Sequence, residues 1–339
     1  MILKMKHCAV VTTALAGLFM STAGGLNAHA DGVLKIGTPL ALTGGLADEG
    51  KKQEAVWKLW LDKVTAAGGI MVGGEKMSVE FVKYLFGTLA PNTGMTESMV
   101  GYFKEKMPSL KKVAVYGRDD VFPKAMASAL ADSAKKGGLD VVYNELYSVG
   151  SMDHSAAVSA IKAASPDWIY MTGYTQDLIL GRKQLQDLGV KAPIITMVTG
   201  PAYKEFTEGL GPLADGVTSS TWWHHATSYN NTIGPWTSTA AFYKDFVAKF
   251  ERDPDYVHGS CAAAADVLVN AVQKAGSTDK KAVRDALAAT DVLTFYGPID
   301  FGDNGMNQGR EMPIIQVQGD DIKVLYPASI ADAQMKTIN

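Results

Sequence analysis

Two cysteines and six histidines in 339 residues leave little from which thiol or metal chemistry could be built. Cys8 lies in a segment with the marks of a removable signal, so Cys261 is left with no partner for an internal disulfide. Long apolar runs are also scarce. The run from Cys8 to Met20 holds only about a dozen residues, short of the ~20 that cross a bilayer, and no later stretch reads as a stop-transfer segment. Positive charge is not in excess either: 32 Lys and Arg face 35 Asp and Glu, a formal net charge of −3, which gives no electrostatic basis for binding nucleic acid or anionic lipid. Gly68-Gly69 and Gly73-Gly74 carry no phosphate-loop lysine and read as turns. The serines near His154 and His258 lack a nucleophile elbow, so neither an enzyme nor a cofactor is expected.

What the chain does have begins at its first residues. Lys4 and Lys6 precede the apolar run, and the small-residue tract ends in Ala28-His29-Ala30, the pattern of a secretory signal cut before Asp31. Residues 1–30 are therefore expected to be a signal peptide. Cys8 is too far from that cut to be a retained lipid acceptor, so a free periplasmic protein is expected. The mature chain of roughly 309 residues has length for two lobes at ~100–200 residues each.

Strand and helix patterns then alternate. Val33 to Ala41 reads as a strand, Glu49 to Ala67 as a helix ended by Gly68-Gly69, and Met77 to Tyr84 as the next strand. Strands at 112–116, 140–147, 168–172 and 194–198 follow, with helices at 122–136, 155–164 and 177–188 between them. Such alternation predicts α/β architecture with parallel sheets covered by helices on both faces. After Asp215 come a strand-like stretch at 217–224, helices at 239–250, 257–275 and 280–289, and short strands around 298–301, 312–318 and 322–326. One junction breaks the grammar: Tyr84 runs straight into Leu85-Phe86-Gly87-Thr88-Leu89-Ala90 with no crossover. Parallel neighbours need a dozen or more connecting residues, so either one unusually long strand bridges two lobes or sequence is absent there.

Ile36-Gly37-Thr38-Pro39-Leu40-Ala41-Leu42-Thr43-Gly44, the 85–92 segment, Lys112-Val113-Ala114-Val115-Tyr116, Met171-Thr172-Gly173-Tyr174 and Pro254-Asp255-Tyr256 together resemble the periplasmic substrate-binding proteins of the branched-chain amino-acid (Leu/Ile/Val) ABC transporter family. The resemblance implies a type I periplasmic-binding-protein fold: two parallel-sheet lobes joined by crossover hinge strands near 89–91, 220–223 and Gly302. It places the first lobe at 31–88 plus 225–305 and the second at 89–224 plus 306–339. Relatives carry about two further βα units where Tyr84 meets Leu85, so the first lobe is expected to be incomplete, with exposed apolar surface as the cost. Lobe closure around a small solute, delivery to permease and ATPase subunits and a monomeric state are implied. A sensing module for a receptor, or a non-binding remnant left by the deletion, are the alternatives.

Carried over position by position, the ligand-facing residues are Glu49, Phe122, Tyr174 and the loop Thr199-Gly200-Pro201-Ala202; Trp222 is read as either lining the cleft or packing the hinge with Trp223. Ala202 stands where amino-acid-binding relatives commonly present an acid to the ligand ammonium. An unpaired buried ammonium is strongly disfavoured, so an α-amino acid requires Glu49 or Glu205 in that role, and the aromatic residues suit an aromatic or aliphatic carboxylate. The bland readings stand beside these. Asp119-Asp120 serves as turn and helix cap, Cys261 packs as a small apolar residue, and His224 and His225, on opposite faces of a strand, do not chelate one ion.

Overall fold

The computed structural model describes residues 33–37, 61–62, 64–72, 75–82 and 86–338. Glu49 lies outside them, as do Tyr84 and Leu85 at the anomalous junction.

The larger sheet has seven strands, and its centre is built from short buried runs, Trp168–Thr172 and Ile194–Val198, separated by a helix. β4 (Lys112–Arg118), β5 (Asp140–Tyr147), β6 (Trp168–Thr172), β7 (Ile194–Val198) and β8 (Thr218–Ser220) are joined by β11 (Ile314–Gln318) and β12 (Asp321–Tyr326) in the order β12-β11-β8-β7-β6-β4-β5. The pairs from β5 through β8 are parallel, while β11 is antiparallel to both β8 and β12. Side chains alternate between two cores. Val113, Val115, Trp168, Tyr170, Ile194 and Val198 face α1 (Asn92–Lys106) and α2 (Val121–Lys136). Ala114, Tyr116, Ile169, Met171, Ile195 and Met197 face α3 (Ser155–Ala164), α4 (Thr175–Asp187) and α5 (Lys204–Leu210). Burial on both faces is why these strands carry continuous apolar sequence.

α1 is absent from the sequence reading. Gly94, Gly101 and the two threonines dilute its apolar stripe, yet Met95, Met99 and Phe103 are fully buried and the Thr96 and Ser133 hydroxyls pair at 2.8 Å across α1 and α2. The expectation of a strand through Leu85 to Ala90 does not hold among the described residues. β3 (Glu75–Val82) ends first, and only Gly87 makes a bridge, to Met306.

β1 (Val33–Gly37) pairs parallel with β3, whose other edge takes β2 (Ile70–Val72) in antiparallel register. Gly68 and Gly69 provide the positive-φ turn leading into β2, and a Cβ on Gly69 would collide with the Met77 backbone. Downstream lie α6 (Thr239–Phe250), α7 (Tyr256–Ala275), α8 (Lys280–Ala288) and the hairpin β9 (Asp291–Thr294) and β10 (Gly297–Asp300). Ser238, Asp255 and Asp279 cap the three helices through their side chains.

Among the described residues the N-terminal sheet has three strands, the β9–β10 hairpin two and the largest sheet seven. α7 is unevenly covered. It buries Ala263, Val267 and Ala271 but leaves Leu268 49% and Val269 56% exposed, so the helix is apolar on faces that water reaches. Cys261 shares that exposure, which corrects its reading as a buried residue.

Candidate functional site

The carboxyl ends of β4, β6, β7 and β8 point to one rim, where open α/β sheets place their ligands. Chemistry on this rim is mainly aromatic. Phe122 enters just after the N-cap of α2, where Asp120 accepts from the Val121 N–H at 2.7 Å. Its ring lies 5.8 Å from Trp222, which lies 4.9 Å from Tyr256. The Tyr256 and Tyr203 hydroxyls face one another, and burial pushes both phenols up from their usual range. Tyr174, at the end of the Thr172-Gly173-Tyr174 turn, is 46% exposed. Gly173 is required at that turn because a Cβ would strike the Tyr147 hydroxyl, itself donating to Thr172 O at 3.1 Å.

The Thr199 to Ala202 loop is built under strain. Thr199 has φ +70°, a conformation a β-branched residue rarely adopts, and its N–H is taken by Ser219 Oγ at 3.0 Å. Gly200 is buried, with room for no Cβ beside the Phe206 ring at 2.8 Å. Its evident role is packing. Ala202 does not join the aromatic group. It lines a cavity of about 580 Å³ with Tyr203, which also faces Tyr256, and with His224, His225, Asp253 and Asp321. Glu205 is exposed and is not among that cavity's lining residues. The structure therefore groups Phe122, Trp222 and Tyr174 with Tyr203 and Tyr256, sets Ala202 to one side, and leaves Glu49 outside the described residues. Tyr203 and Tyr256 escaped the sequence reading, although Tyr256 sits in the quoted Pro254-Asp255-Tyr256 segment.

Three chain segments meet behind this wall. Trp222 Nε1 donates to Ala90 O at 2.9 Å, Asn307 Nδ2 to Thr88 O at 3.1 Å, and Thr221 N to Pro313 O at 3.0 Å. Arg310 ties them further: its Nη2 donates to Trp222 O at 2.6 Å and its guanidinium lies 4.6 Å from the Tyr296 ring centroid.

His224 and His225 correct another expectation. β8 ends at Ser220, so strand alternation does not separate the two rings; they lie tilted against one another with centroids 4.1 Å apart, and His225 stacks on Tyr243 at 4.4 Å. Burial and the neighbouring His225 pull the His224 imidazole down to about 3. Burial lowers His225 as well, against the opposing pull of Asp253. An unfolded chain takes up these protons near pH 6.5, whereas the folded rings refuse them. Stability is therefore complete above about pH 6.5 and falls as pH drops towards 3, by of order one kcal/mol per pH unit for His224. Urea midpoints between about pH 7 and pH 5 are expected to fall less steeply in His224→Gln than in the unaltered chain. Parallel curves would refute this account.

An α/β body with a mostly parallel main sheet and an aromatic rim at its strand ends has the type I periplasmic binding fold, and comparison with known proteins places it further. Residues 80–321 match the family model described as periplasmic binding protein, and the chain belongs to that family. Its relatives are of the Leu/Ile/Val type. Leu/Ile/Val-binding protein homolog 8 of Brucella abortus is 24% identical over 271 residues, which cover 77% of this chain and 63% of that protein. BraC3 of Rhizobium johnstonii, a Leu/Ile/Val-binding protein, is 30% identical over 197 residues, 58% of this chain and 51% of that one. The chain thus spans less than two thirds of the length of these relatives. Among solved structures, a branched-chain amino-acid ABC transporter protein from Silicibacter pomeroyi superposes with a TM-score of 0.65 at 17% identity, covering 89% of this chain and 98% of that one. A solute-binding protein from R. palustris in complex with benzoate superposes at 0.57 with 17% identity, covering 90% and 98%. Among the described residues no helix is long and apolar enough to cross a membrane.

Proposed function

We propose that the chain is the extracytoplasmic solute-binding component of an ABC importer, secreted through its first thirty residues, which binds a small carboxylate by lobe closure and delivers it to permease and ATPase subunits. The lobes are residues 31–88 with 225–305 and residues 89–224 with 306–339, joined where the 87–90, 220–223 and 302–313 segments lie together. The reading rests above all on the aromatic wall of Phe122, Trp222 and Tyr256 at the carboxyl ends of the strands. Closure carries the message: a ligand that binds the closed arrangement more tightly shifts the population the transporter sees. The solute is a branched-chain amino acid, a short amide or an aromatic acid. Ala202 in place of an acid favours those without an ammonium group, and the benzoate held by a relative of the same fold agrees with that preference. The protein acts as a monomer and performs no catalytic step.

Calorimetric titration of the mature chain with L-leucine, acetamide and benzoate, alongside thermal melts, tests the proposal. A cooperative melt that rises with one compound is expected, since a ligand that binds only the folded state stabilises it. A broad transition unmoved by all three refutes binding and favours the remnant reading.

A further inference from the structure

We propose that Arg118 and Asp177 are positioning residues that hold Tyr174 as a fixed aromatic platform, an inference that rests on the rim being the ligand site. Arg118 closes β4 at the strand end, and its guanidinium lies 5.0 Å from the centroid of the Tyr174 ring. Asp177, in the first turn of α4, takes two hydrogen bonds on a single oxygen. Arg118 Nη1 donates to Oδ2 at 2.9 Å and the Tyr174 N–H donates to the same atom at 3.0 Å. One carboxylate therefore fixes the backbone of Tyr174 and the cation against its ring together.

Arg118 is poorly suited to pair a ligand carboxylate directly. Asp120 Oδ2 also stands 3.5 Å from Nε, so two carboxylates already share its charge. The flat face of the guanidinium is turned to the Tyr174 ring, and it stacks on aromatic rings as a lysine ammonium does not. The turn beneath is equally constrained, because Gly173 has no room for a Cβ and Tyr147 holds Thr172 O. Tyr174 is exposed, yet its ring and its backbone are each held from below. A ring ordered before the ligand arrives avoids the entropy cost of ordering it on binding.

Two measurements on the full mature chain test this. In protein labelled with 3-fluorotyrosine, the Tyr174 signal, assigned through Tyr174→Phe, is expected to move towards the free amino-acid position in Arg118→Met and in Arg118→Lys. An unmoved signal in either folded variant overturns the platform. In titrations with benzoate and L-leucine, Arg118→Met is expected to weaken whichever probe binds by about tenfold, with Arg118→Lys restoring at most part of it. In a Tyr174→Ala background the same substitution is expected to cost nothing, as it must if Arg118 acts through that ring. A loss that persists there overturns the proposal. Should the unaltered chain bind neither probe, the ligand reading falls, while the fluorine spectrum of the free protein still decides the platform.

Discussion

Replacing Trp168 by alanine is expected to destabilise the protein by about 3–5 kcal/mol, the largest effect of any single substitution considered. Trp168 opens β6, between β4 and β7 in the seven-stranded sheet, and is wholly buried. Its ring meets Phe103 of α1 edge-on at 5.0 Å and Tyr170 at 6.0 Å, while Nε1 donates to Thr196 Oγ1 at 2.9 Å. Removing the indole empties the contact between the sheet and α1. The polar part of the loss is small because Thr196 keeps its 2.7 Å partner in Thr218. Cavity and transfer terms dominate. Trp168→Phe retains most of the packing and is expected to cost little beyond the hydrogen bond, about 1 kcal/mol. Urea unfolding of the three proteins, with m unchanged, checks the order. An alanine variant within about 1 kcal/mol of the unaltered chain would contradict the core described here.

Truncating the aromatic wall is expected to weaken ligand binding, by about thirtyfold for Trp222→Ala and about tenfold for Phe122→Ala. Trp222 has the larger share because it touches Phe122 and Tyr256 and anchors to Ala90 O. Either substitution frees the buried Ala90 carbonyl, but Trp222→Phe keeps most of the ring packing and is the better-folded companion. Both losses are read by titration with whichever of benzoate or L-leucine the unaltered chain takes up. Undiminished affinity in Phe122→Ala and Trp222→Phe, with normal melts, would remove the wall from the site.

The regular elements were legible because their physics is local. Trp168 to Thr172 and Ile194 to Val198 are short apolar runs with helices between them, and Asp120 and Asp255 stand where caps belong. α1 was not legible, since Gly94, Gly101, Thr93 and Thr96 mask its buried stripe until α2 is placed against it. The proposed wall was half legible. Phe122 was named through resemblance and Trp222 as a residue of either cleft or hinge, whereas Tyr203, Tyr256 and Arg118 acquire meaning only when distant segments meet: 174 with 118, and 222 with 256. Exposure of Cys261 was misread because an alanine-rich helix looks buried unless one knows what covers it.

The position of Trp222 also has a practical side. Trp168 and Trp223 are sealed in the interior, while Trp222 stands in the wall against Phe122 and Tyr256, only 6% exposed, with its indole N–H already engaged. A solute arriving at the proposed site is therefore expected to change the surroundings of this indole more than those of the two sealed ones. In a chain of six tryptophans, a ligand-dependent change in ultraviolet emission that is lost in Trp222→Phe would make that indole an optical gauge of occupancy.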